Sequence, residues 1–406
     1  MFGIAAALLV TLLALDRAMA PDTGDDGEAS GGATSTTATA EEEVELPPVD
    51  PAVQEAVVDL HAFVADARGL DFVREVPVRL VDDEAFAALV EVFFDIDPAQ
   101  LSAVSAYYEA LGLIPEGTAA IYAAQLLLRY QRALGFYDPE TGVLIVRGDD
   151  LDPGTRSVIV HELVHALDDQ WFDLHRPEYE TNRASENVET FPMVYEGNAT
   201  RIQEQWIAEL PASERAEAQE AAGDPPGGEL TDNADFIDFG VLARYQAGAP
   251  FVTRLAASGG ERLVDAVLLD PPSTTEQVLY PEVFDRREGR LPVPPPPADG
   301  ALIDQGVVGA YFWLGLLTFA ESELPSEAAE AAVRGWGGDW SVTWVDGEVT
   351  CTRSDVEGDT RADTDELVAA LTEYANAHPG VRVSEVDGRA RMEVCYEVPI
   401  AGPDAR

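Results

Sequence analysis

Between Asp152 and Asp169 the chain reads DPGTRSVIVHELVHALDD, a segment compatible with few folds. Asp152 before Pro153 is a helix start, an N-cap acceptor followed by a residue whose missing N–H costs nothing at that place. Ile159, Val160, Leu163, Val164 and Leu167 make the helix deeply apolar, so it belongs in the core and carries His161, Glu162 and His165 inside with it. Buried imidazoles and carboxylates without partners are costly, and the rest of the chain has to supply groups that meet them. The two imidazoles stand four residues apart, one turn on one face, a spacing suited to two vertices of a tetrahedral metal site. Glu162 lies about 100° round the helix from His161, placed to reach a water at the metal rather than the metal itself.

A catalytic zinc needs a third protein ligand and one open position. His175 falls ten residues after His165 with no Gly turn between, which does not fit the extended spacing HExxHxxGxxH. Glu180, Glu186 and Glu189 sit in a polar, loop-like stretch, EYETNRASENVET. Glu196 is different, because PMVYEGNATRIQEQWI (192–207) reads as a helix, and Gly197 and Ala199 beside the carboxylate allow a second helix to come close. Glu196 is therefore the expected third ligand, the bland alternative being an ordinary exposed helix carboxylate. Asp168 or Asp169 is the candidate to hydrogen-bond a ligating imidazole.

HExxH followed by a helix-borne Glu resembles the gluzincin pattern of zinc metallopeptidases. VHELVHALDDQWFDL with the later YEGNAT is similar to a group of bacterial exported peptidase-like proteins carrying HELTHALQDQ-like and EGDA-like stretches, and the likeness extends to GFYDPETG and STTEQVLYP. Three positions depart: Asp168 stands where similar segments carry Gln, Asn198 where they carry Asp, and Tyr280 where they often carry His. The resemblance implies a zinc-dependent hydrolase of peptide bonds in which His161, His165 and Glu196 hold Zn²⁺ and Glu162 is the general base. It leaves the oxyanion donor open among Tyr195, Tyr245, Tyr280, Arg201 and His175. The hairpin strand at 142–147 is expected beside the cleft, where an extended peptide or protein substrate can add as a strand. The competing reading is a catalytically inactive zincin-fold protein that binds or builds at the cell surface.

The 75 acidic residues against 25 basic ones, all Arg, give a net charge of −50. Such a field repels phosphate backbones and anionic lipid surfaces, which excludes nucleic acid as a partner. Residues 1–20 contain an apolar run of fourteen and an Ala18-Met19-Ala20 pattern, a signal peptide or an uncleaved N-terminal anchor. Residues 21–48 read as a disordered acidic linker. A secreted or extracytoplasmic protein follows, with the membrane reached only through the N-terminal segment. A zincin-like metallopeptidase domain is expected over 49–335 and a small β-β-α-β-β unit over 336–406, so the fold class is α+β and mainly helical, with a β-hairpin beside the HExxH helix. In the second unit Cys351 and Cys395 are either disulfide-bonded or two buried thiols. Asp355, Glu357, Asp359, Asp363 and Glu366 fall on ligand positions of an EF-hand-like loop, but Thr360 stands where that loop requires Gly. Solvated acids are favoured there, with Ca²⁺ as the alternative.

Overall fold

The computed structural model describes residues 46–94, 98–123, 133–223, 244–320, 322 and 324–398. The expected signal segment and the linker up to residue 45 lie outside the described residues. The architecture is α+β, two sheets among many helices. Among the described residues no helix is long and apolar enough to cross a membrane.

The first sheet has three strands in the order β1 (Val78–Val81), β3 (Val143–Arg147), β2 (Gly135–Asp138). β2 and β3 form the expected antiparallel hairpin, with Tyr137 opposite Leu144, while β1 runs parallel to β3. The motif helix, Pro153–Phe172, starts as expected: the Asp152 carboxylate accepts the Thr155 N–H and Pro153 occupies the first turn. It packs on the sheet through Val158, Leu163 and Leu167, which share one core with Leu144 and Val146. Gly135 makes this contact close. A Cβ there would sit 2.7 Å from Val158 Cγ1, so any larger residue would push β2 off the helix. Because β3 is the middle strand, both its edges are taken, and the expected substrate strand cannot add at 142–147. Among the described residues, only β2 and β1 keep an outer edge in this sheet.

The helix carrying Glu196 runs over Asn187–Glu209, longer than expected, so Glu189 is helical rather than in a loop. Pro192, read as a helix opener, lies inside it, and the cost of one missing backbone donor is offset by burial of Phe191, Met193 and Val194. The helix crosses the motif helix on one side and Gly248–Gly259 on the other. The second crossing is backbone to backbone: a Cβ on Gly197 would overlap Gly248, and one on Gly248 would overlap Met193.

The second sheet has the order β4 (Ala301–Gly306), β5 (Trp336–Asp346), β6 (Val349–Gly358), β8 (Arg389–Glu397), β7 (Val381–Val386). The expected strand-strand-helix-strand-strand order is present, with turns at Asp346-Gly347 and Asp387-Gly388, and β4 adds a fifth strand at one edge. Its core is continuous with Leu111, Leu113 and the helix Gly309–Phe319. Cys351 and Cys395 face each other across β6 and β8 and are disulfide-bonded. Three of the five EF-hand-like acids have other partners. Asp355 and Glu357 lie on β6 and bind Arg391 and Arg389, and Asp363 closes a capping box with Thr360. A calcium loop has no geometry here.

Candidate metal centre

The crossing of the motif helix with the Glu196 helix brings together the three residues expected to hold a metal. His161 Nε2 stands 3.1 Å and His165 Nε2 3.3 Å from the same carboxylate oxygen, Glu196 Oε2. Zinc bonds of about 2.05 Å at tetrahedral angles put ligand atoms about 3.3 Å apart, so both separations match edges of such a site. The ligand atoms of the three residues lie within 4.8 Å of one another, and all three residues are buried. His161 is 0%, Glu162 1%, Glu196 1% and His165 6% exposed.

A residue that the sequence reading missed decides what His161 can offer. Gln203 Oε1 is 3.3 Å from His161 Nδ1, while Gln203 Nε2 donates to Ser157 O at 3.2 Å and to Ser157 Oγ at 3.0 Å. A carbonyl oxygen can only accept, so the amide orientation is set, and Oε1 must face His161 as an acceptor. Nδ1 therefore carries the proton. Burial, with the nearby His165 adding to it, lowers the His161 pKa to about 4, so the ring is neutral and Nε2 presents a lone pair. That lone pair points at an ionised carboxylate oxygen. Burial opposes ionisation of Glu196, yet His165 and the two imidazole contacts hold its pKa well below the ordinary value. Two acceptors face each other at 3.1 Å, a contact that becomes favourable with a cation between them. His165 differs: although burial opposes its charge, Glu196 and Glu162 raise its pKa to about 9, so in the metal-free site its Nε2 can donate to Glu196 Oε2. Among the described residues Glu196 Oε1 has no hydrogen-bond partner. The donor set fits a metal ion, and two imidazoles plus one carboxylate suit zinc.

Glu162 is one position along from His161, and its Oε1 is buried without a partner among the described residues. Burial raises its pKa to about 8, while His165 and an N–H from the Tyr137 backbone favour the ionised form. The nearby Glu196 is a further cause of the rise. Of the five residues weighed as oxyanion donors, Tyr245 has the strongest link to the centre. Its ring centroid is 6.2 Å from that of His161, and burial, Glu196 and Glu162 together raise its pKa far above the ordinary value. Tyr195 packs edge-on to His165, with ring centroids 5.5 Å apart. Tyr280 lies under the Arg334 guanidinium, Arg201 is bound to Asn198 and Glu261, and His175 is exposed. Neither Asp168 nor Asp169 bonds a ligating imidazole: Asp168 accepts from Arg68, and Asp169 from the Tyr137 hydroxyl and the Leu174 N–H.

No protein-family model, curated protein or solved structure matches the chain.

Proposed function

We propose that the chain is a zinc-dependent peptidase of gluzincin type, with a zincin-like core formed by the motif helix, the Glu196 helix and the three-stranded sheet. The observation that carries this reading is the pair of acceptors, His161 Nε2 and Glu196 Oε2, held face to face by the Gln203 amide. His161, His165 and Glu196 would hold the ion, and zinc supplies Lewis acidity toward a water and a peptide carbonyl. Glu162 takes the proton of the attacking water at its unpartnered carboxylate oxygen and returns it to the leaving amine. The Tyr137 N–H steadies that carboxylate through both transfers. Tyr245 is the donor favoured for the developing oxyanion.

Substrate orientation falls to β2. Arg147 N–H bonds Leu134 O, so in this antiparallel ladder Gly135 and Tyr137 point their backbone groups away from β3, the Tyr137 N–H being taken by Glu162. An extended peptide added along that edge would run past Glu162. The disulfide supports an oxidising, extracytoplasmic location, and the net charge of −50 favours cationic substrates.

The test is metal analysis of the purified protein beside a Glu162→Gln variant, both assayed on unfolded protein. Stoichiometric zinc in both and loss of cleavage in the variant are expected. Absence of zinc would refute the centre, and equal cleavage by both would refute the role of Glu162. Zinc without cleavage by either protein would instead favour an inactive zincin-fold binding protein.

A further inference from the structure

Asp168 and Asn198, two of the three departures from the similar segments, are in contact. Asn198 Nδ2 donates to Asp168 Oδ2 at 2.6 Å, and Asp168 Oδ1 accepts Arg68 Nε at 2.9 Å. Arg68 Nη1 donates to Glu261 Oε2 at 2.6 Å, and the same oxygen accepts Arg201 Nη2 at 2.8 Å. Arg201 Nη2 then returns to Asn198 Oδ1 at 2.8 Å. Five side chains from four helices close one hydrogen-bonded ring. The helices are Val58–Arg68, the motif helix, the Glu196 helix and Glu261–Leu269. Arg68 and Asp168 have fully buried side chains, and Arg68 Nη2 binds Asp265 at 2.9 Å as well.

We infer that this ring is the positioning device of the metal centre, an inference that rests on the metal-centre reading above. Asp168 is three residues past His165 on the motif helix, and Asn198 two past Glu196 on the other. Their hydrogen bond therefore ties the two ligand-bearing helices together within a turn of the ligands themselves. Burying two guanidinium groups with several carboxylates is a poor way to gain stability over an apolar contact of the same size. It is a good way to fix registry, because apolar ridges can slide or rotate whereas the hydrogen bonds of the ring have fixed directions. Ligand positions in a metal site tolerate only a few tenths of an ångström. The ring holds His165 Nε2 at its distance from Glu196 Oε2, and Asn198 and Arg68 act as positioning residues that touch neither ion nor substrate.

The donor and acceptor directions yield a test that does not depend on removing Arg68, whose loss can unfold the chain. Asp168→Asn alone sets an amide N–H₂ against the Asn198 N–H₂. Asn198→Asp alone sets two carboxylates together. The double exchange restores every bond: residue 168 accepts Arg68 and donates to residue 198, which accepts from it and from Arg201. It keeps the net charge, and reproduces the amide-then-acid order of the similar segments.

Zinc affinity is measured by competition with a chromophoric chelator, with the visible spectrum of the cobalt-loaded protein and the melting of the metal-free protein alongside. Each single variant is expected to bind zinc about 10–100-fold more weakly and to alter the cobalt bands, and the double exchange to recover both. If the wild type binds zinc and both singles bind it as tightly, or the double is no tighter than the weaker single, the ring does not position the centre. Lowered melting with unchanged zinc affinity would likewise reduce it to a structural tie. A wild type that takes no zinc overturns the metal-centre reading itself, and the ring's role falls with it.

Discussion

Replacing Gln203 by Leu should separate a metal site from a self-contained hydrogen-bonded cluster. In the metal-binding state His161 must keep its proton on Nδ1, because Nε2 is needed as a ligand, and Gln203 Oε1 at 3.3 Å is the acceptor of that proton. Leu removes the acceptor inside a site where His161 has no exposure. A buried N–H left without a partner costs about 1–3 kcal/mol. Without metal the ring escapes this cost, since the proton can move to Nε2 and be donated to Glu196 Oε2 at 3.1 Å. The penalty therefore falls on the metal-bound state alone and weakens zinc binding about 5- to 150-fold, at about 1.4 kcal/mol per decade. Loss of the two bonds from Gln203 to Ser157 affects both states, so it cancels in the affinity and shows as lower melting of the metal-free protein. Gln203→Glu keeps an acceptor for Nδ1–H and should bind zinc at least as tightly as the wild type. The assay is chelator competition at a temperature well below melting. A Leu variant that holds zinc as tightly as the wild type refutes the tautomer argument, and with it the reason for placing a cation between His161 and Glu196.

Three further perturbations test the frame around the centre. Gly197→Ala places a methyl 2.8 Å from Ala249 N and against the Gly248 backbone, an overpacking of about 1–3 kcal/mol. Melting should fall and zinc affinity drop with it, and unchanged melting would show that the two helices are not pressed together. Reduction of Cys351–Cys395, 44 residues apart in sequence, should lower stability by at most about 4 kcal/mol on chain entropy and leave zinc affinity unchanged. Equal melting with and without reductant would count against a stabilising bond. Glu186, buried at the start of the Glu196 helix against Thr275, has its pKa pushed up to about 8 by burial, despite two bonds from Thr275 that favour ionisation. A carboxyl raised in the fold stabilises fully below its unfolded value of about 4.3, and that stability is lost as pH rises toward the folded value. Metal-free protein should melt progressively lower between these limits, and Glu186→Gln should flatten that slope. An identical slope in both proteins would assign the pH dependence elsewhere.

The parts of this site that were legible in sequence are those written along a single helix. His161, Glu162 and His165 follow from a four-residue spacing inside an apolar run, and the helix start follows from Asp152-Pro153. Glu196 was legible for a similar reason, since Gly197 beside it signals a close helix crossing, and the crossing is there. Gln203 left a fainter signal: it lies seven residues after Glu196, two turns along the same face, but nothing local says that face meets His161. The misplaced substrate strand failed on long-range grounds. Which of β2 and β3 keeps a free edge depends on β1, more than fifty residues earlier, pairing in parallel with β3. β4 escaped for the same reason, because ALIDQG has little alternation of its own and becomes a strand only against β5.

Asp168 and Asn198 set the limit of position-by-position reading. Taken singly they are two departures from a pattern, each expected to disturb the orientation of a ligand. Taken as a contact they are one hydrogen bond, Asn198 Nδ2 to Asp168 Oδ2, with Arg68 and Arg201 on either side. Only a structure that places residue 168 against residue 198 turns two separate departures into one pair whose joint exchange can be tested.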